Sequence, residues 1–111
     1  KLYGKKGREL ADFYLNNLLE LCDDNKIRFT LVIYPWPNQI YYGYESILHR
    51  DFWSNWSETK NINFIDLFEF FENDNPENII KSLFVDGDIH WNKKGHQYVY
   101  EIMMSKYFGD P

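Results

Sequence analysis

The sequence predicts an α/β fold organised on a parallel sheet, and three observations carry that expectation. Phe29 and Leu31 to Tyr34 make Arg28–Tyr34 a nearly continuous apolar run, with no in-out alternation. A strand covered on both faces reads this way, typically in a parallel sheet. A second β-rich run, Ile62–Leu67, ends in Asp66-Leu67. Helical patterns precede, separate and follow the two runs, as expected of a sheet carrying helices.

Residues Lys1 to Gly7 are basic and contain glycine, and they read as a loose lead-in. A helix is expected from about Arg8 to Asp24. Leu10, Ala11, Tyr14, Leu15, Leu18, Leu21 and Cys22 recur at spacings of three and four, which predicts one buried stripe. Asp12, Asn16, Asn17, Glu20 and Asp23 take the other side, and Asn25 suits the C-terminal stop. The strand at Arg28–Tyr34 is stopped by Pro35-Trp36-Pro37. In open α/β sheets the ligand crevice lies outside the C-terminal ends of the strands. Trp36 and Asn38 are therefore candidate lining residues.

Gln39 to Thr59 is aromatic and less regular. Tyr41, Tyr42 and Tyr44 read as a loop, and Ile47, Leu48, Phe52 and Trp56 as a helix face. Together with Trp53, these rings suit core or interface packing, with stacking on a sugar or acyl group as the alternative. His49, beside Arg50, reads as a surface residue. Phe68, Phe70 and Phe71 follow the second strand in a loop or short helical turn. Asn75-Pro76 is an N-cap and first-turn pair opening a helix to about Leu83, and a last helix is expected from about Lys93 to Phe108.

The chain has 111 residues, 44% hydrophobic and 20% aromatic, which suits at most one globular domain. A net charge of −5 without a basic stripe argues against nucleic acid as the main partner. No apolar run is long enough to cross a bilayer. The single cysteine, Cys22, reads as a buried thiol in a helix. The sequence opens on Lys1, and a segment upstream of it is expected. Two parallel strands alone make a marginal sheet, so a missing N-terminal segment or another chain is expected to complete it.

Chemistry concentrates in Phe84-Val85-Asp86-Gly87-Asp88-Ile89-His90-Trp91-Asn92, followed by Gly95 and His96. Residues i and i+2 of an extended segment point the same way. Asp88 can then accept the proton of one His90 ring nitrogen, fixing the tautomer and leaving the other nitrogen as a base. Asn92 is a good N-cap for the helix that follows and pins the backbone beside the histidine. The plain alternative is a polar turn before a terminal helix.

These segments resemble the C-terminal half of an SGNH (GDSL-type) hydrolase, over roughly Lys26 to Phe108. Leu31-Val32-Ile33-Tyr34-Pro35-Trp36-Pro37 resembles the penultimate core strand and the loop after it. Ile62-Asn63-Phe64-Ile65-Asp66-Leu67 resembles the last core strand. Asp88-Ile89-His90-Trp91-Asn92 with Gly95 and His96 resembles the terminal catalytic block. Many members space this pair as Asp-x-x-His. The Asp-x-His-Trp-Asn form is similar to the branch related to polysaccharide O-acetyltransferases, with Asp86 as the fallback acid.

The resemblance implies part of a three-layer α/β/α, flavodoxin-like domain, with residues 1–111 as its C-terminal portion. It implies Asp88 and His90 as catalytic residues acting on an acetyl or acyl ester of a saccharide or lipid, without a cofactor or metal. Trp91 joins Trp36 and Asn38 as a candidate lining residue. The family's serine turn and oxyanion donors have no counterpart here. Ser46, Ser54, Ser57, Ser82 and Ser105 all fall in other contexts.

Two readings of other classes stand beside this one. A non-catalytic binding or assembly module would use the aromatic segment as its contact surface. An apolar strand before Asp86-Gly87-Asp88 also resembles the metal motif of nucleotide-sugar glycosyltransferases. A metal site made by His90 and His96 is disfavoured, because their spacing crosses a helix start.

Overall fold

The computed structural model describes residues 2–43 and 46–109. Helix α1 (Leu2–Asp24) leads into strand β1 (Thr30–Ile33). Two helices, α2 (Pro37–Tyr42) and α3 (Ser46–Lys60), connect it to β2 (Asn63–Asp66). A 3-10 turn at Phe68–Phe71, α4 (Pro76–Leu83) and α5 (Lys93–Lys106) complete the order. The chain is thus of mixed α/β class, and β1 and β2 pair in parallel from Thr30↔Asn63 to Ile33↔Asp66. Both strands are shorter than the apolar runs that contain them. Pro35 has no N–H to extend the ladder, which closes instead with Leu67 N–H donating to Ile33 O at 3.0 Å.

Strand alternation divides the apolar side chains between two clusters. Leu31, Ile33 and Phe64 pack with Ala11, Leu15 and Leu19 of α1 and with Phe52, Trp53 and Trp56 of α3. Ile65 and Leu67 join Ile79 and Leu83 of α4 and Val99 and Ile102 of α5, with Phe71 and Phe84 between them. Arg50 links the first group of helices to the end of β2. Its Nε lies 2.6 Å from Asp66 Oδ2, while Asp66 Oδ1 accepts from Phe68 N–H at 2.9 Å. The guanidinium also lies over the Phe68 ring, 5.3 Å from its centroid.

The structure departs from several of these expectations. The lead-in is helical from Leu2, while Lys1 lies outside the described residues. The α1 stripe is only partly buried: Leu10, Tyr14, Leu18 and Leu21 are exposed, and Leu19 is the side chain that enters the core. Among the described residues the sheet has two strands, so α1 rests on it along the narrower row Ala11, Leu15 and Leu19. Asp12, expected to face solvent, turns toward α3 and accepts from Trp56 Nε1 at 2.6 Å. Cys22 is half-buried rather than buried.

The α3 face also differs. Ile47 and Leu48 are exposed, and Trp53, Trp56 and Ser57 are buried. His49 lies among them, half-buried, with its ring centroid 6.4 Å from that of Trp53 and 6.1 Å from that of Phe68. Burial, and secondarily Arg8, pushes its pKa down, against a smaller opposing effect of Asp66. Tyr41 and Tyr42 are exposed, and Tyr44 lies outside the described residues. No helix among the described residues is long and apolar enough to cross a membrane.

Ser57 is 1% exposed, and its Oγ has no hydrogen-bond partner among the described residues. A buried hydroxyl left unpaired is costly. Ser57→Ala is expected to raise the unfolding free energy by about 1 kcal/mol in urea titrations. A loss of stability instead would show that the hydroxyl is paired in solution.

Candidate functional site

The site is the connection between α4 and α5. Asn75 Oδ1 caps the start of α4 by accepting from Glu77 N–H at 2.9 Å, with Pro76 in the first turn. After Leu83 the chain becomes extended and forms a narrow loop, closed at its base by an antiparallel bridge between Phe84 and Trp91. Val85 N–H donates to His90 O at 2.9 Å, and Asp88 N–H donates to Val85 O at 3.0 Å. The second bond closes a turn with Asp86 and Gly87 at its centre. Gly87 has φ +69°, the left-handed conformation that this turn position reserves for glycine.

Asp88 organises the tip. Its Oδ1 accepts from Ile89 N–H at 2.6 Å and from His90 N–H at 3.3 Å, and it lies 2.8 Å from His90 Nδ1. The bond to His90 is the leading cause that lowers the Asp88 pKa, followed by the Ile89 amide. An ionised carboxylate can only accept, so Nδ1 carries the proton, and in the neutral imidazole Nε2 then holds the lone pair. No hydrogen bond to Nε2 occurs among the described residues, and no serine hydroxyl reaches it there. The imidazole is open to solvent, at 72% exposure. The partner of His90 is thus Asp88, and Asp86 stands apart in the turn.

A groove of about 860 Å³ runs beside this loop. Trp36, Asn38, Tyr41, Ile80 and Phe84 line it together with the loop residues from Asp86 to Ile89, and His90 does not. Trp36 and Asn38, which follow β1, both border this groove. Trp91 does not line the groove. Successive residues of an extended segment face opposite ways, so an outward His90 turns Trp91 inward. Its ring sits 4.4 Å from that of Tyr34 and stacks on Phe71 at 6.4 Å and 11°. His96 meets the same indole edge-on at 5.5 Å.

Ile80 and Phe84 had not been foreseen as site residues. The apolar spacing of Ile80 in α4 and Phe84 just after it shows a packed face but not what it borders. Gly95 had a readable signal, being a poor helix former in the first turn of α5. A Cβ there would lie 2.1 Å from Leu83 O and 2.9 Å from Trp91 Cβ. Asn92 Oδ1 caps α5 as expected, accepting from Gly95 N–H at 2.8 Å. Among the described residues, no three His, Cys, Asp or Glu side chains are grouped to hold a metal ion. No family model, curated protein or solved structure matches the chain.

Gly95→Ala is expected to cost about 1–3 kcal/mol in denaturant unfolding, because backbone and not a flexible side chain must give way. A neutral effect would contradict the close approach. The pH dependence follows from the depressed Asp88 pKa. Its contact with His90 is complete above the ordinary Asp range and is lost as pH falls through the lower folded-state value. Carboxyl ¹³C titration should therefore show an upward shift of the Asp88 midpoint in His90→Ala. An unchanged midpoint would contradict the contact.

Proposed function

We propose that Asp88 and His90 are the acid and base of a serine esterase or O-acyltransferase site. The observation that carries this reading is the 2.8 Å contact from Asp88 Oδ1 to His90 Nδ1, with Nε2 free on an exposed loop beside a groove. On this reading the chain is the C-terminal portion of a three-layer α/β/α domain of SGNH-hydrolase type. Helices packed through separate apolar clusters onto a parallel strand pair support it.

The nucleophilic serine and the oxyanion donors then come from outside these residues, from another segment of a longer polypeptide or from another chain. That segment would add strands at the free edge of β1. Val32 on β1 is 37% exposed, and the row Leu10, Tyr14, Leu18 and Leu21 of α1 is exposed. Both suit a wider sheet that carries more apolar cover.

The chemistry follows from the pair. His90 Nε2 takes the serine proton as Oγ attacks the acyl carbonyl, and Asp88 stabilises the imidazolium. His90 then gives that proton to the departing alkoxide, leaving an acyl-serine. Water or a saccharide hydroxyl, deprotonated in turn by His90, attacks this ester; the acyl–Oγ bond breaks and His90 returns the proton to the serine, releasing the acid or the new ester. Substrates are acetyl or acyl esters of a saccharide or lipid, bordered by Trp36 and Asn38. Trp91 acts from within, packing beneath the loop.

A second reading is a binding module whose contact surface is the exposed aromatic segment with Tyr41 and Tyr42. A fluorophosphonate probe separates the two on the complete protein. Labelling of a serine that is lost in His90→Ala supports the enzyme, and labelling that survives unaltered contradicts it. Ester turnover should fall about 10⁴-fold in Asp88→Asn, where the wrong tautomer is held. Asp86→Asn should lower turnover far less, because His90 Nδ1 bonds to Asp88 and not to Asp86.

A further inference from the structure

Asn92 makes more bonds than capping requires. An N-cap needs one side-chain acceptor, which Ser, Thr or Asp supplies as well as Asn. Here Oδ1 serves Gly95 N–H, and Nδ2 donates to two further groups, Ser82 O at 2.9 Å and Phe84 O at 3.1 Å. The orientation of the amide is fixed by its partners, since an N–H must meet an oxygen and two carbonyls must meet N–H groups. The Asn92 main chain adds a bond from its N–H to Leu83 O at 2.9 Å. Ser82 O and Leu83 O are among the last carbonyls of α4, which lack partners within their own helix. One residue therefore closes the end of α4 and the start of α5.

The bond to Phe84 O reaches further. The peptide between Phe84 and Val85 has its carbonyl held by Asn92, and its N–H donates to His90 O. A peptide unit is planar, so fixing one end aims the other. Val85 O in turn accepts from Asp88 N–H. The main chains of Asp88 and His90 both hang on this one peptide and its neighbour.

We infer that Asn92 is a positioning residue for the Asp88–His90 pair, acting through the Phe84–Val85 peptide. The inference rests on the proposed function of that pair. An interaction that only capped helices would be replaced by any good cap, with no consequence at the imidazole.

The test is long-range ¹H–¹⁵N NMR of the His90 ring above its titration range, with thermal unfolding alongside. Asn92→Ser keeps a cap acceptor and loses both donors. Asn92→Asp does the same and adds a charge facing two carbonyls. In both, the ratio of Nδ1–H to Nε2–H tautomers should fall about tenfold, the scale of one hydrogen bond to a charged group. A lower melting temperature with an unchanged tautomer ratio overturns the inference alone. A wild-type His90 that carries its proton on Nε2 overturns both this and the proposed function.

Hydrogen exchange on the wild-type chain decides the matter should a variant not fold. Val85 N–H protected as strongly as Asn92 N–H supports the linkage. Val85 N–H exchanging like a free peptide overturns it.

Discussion

The closeness of α5 to the end of α4 is the constraint on which the rest of the site depends. It requires a residue without a side chain at Gly95, because Leu83 O occupies the place of a Cβ. It lets Asn92 reach back to the carbonyls of Ser82 and Phe84. With α4 and α5 held this way, the chain between them has little freedom. It folds back as a bridge at Phe84 and Trp91, with Gly87 supplying the left-handed turn. Asp88 and His90 are exposed by this geometry, yet their main-chain atoms are tied.

The division of inside and outside follows from the same bridge. Trp91 and His90 are neighbours on an extended segment, so one must enter the protein where the other leaves it. Trp91 fills the space between Tyr34, Phe71 and His96, and this packing anchors the loop from below. Groove and pair share Asp88 on their border. Ordered main chain, an open ring nitrogen and an adjacent groove are what a general base needs.

Features that depend on neighbours in sequence were readable before the structure. The pairing of Asp88 with His90 is a consequence of spacing, and the Asn92 cap of residue type. The parallel strands were legible because Leu31 to Ile33 leave no polar face. Features that depend on what lies across space were not. The rows Leu10–Tyr14–Leu18 and Ala11–Leu15–Leu19 look alike in sequence, and a narrow sheet covers only the second. His49 looked like a surface residue because its Trp53 and Phe68 neighbours come from folding. Trp91 looked like a lining residue until the bridge to Phe84 set its direction. Asn92 was legible as a cap that pins the backbone beside His90, but its bonds to the Ser82 and Phe84 carbonyls were not, because no local pattern brings those groups near.

On the proposed function, His90 serves as base to a serine brought by a strand-bearing segment at the β1 edge. The most direct measurement is a crystal structure of the complete polypeptide after reaction with a fluorophosphonate. Further strands beside β1 are expected, with a phosphonylated serine whose Oγ lies within about 2.6–3.2 Å of His90 Nε2. A β1 edge left open, with Nε2 facing solvent and no serine near it, would contradict that role for His90.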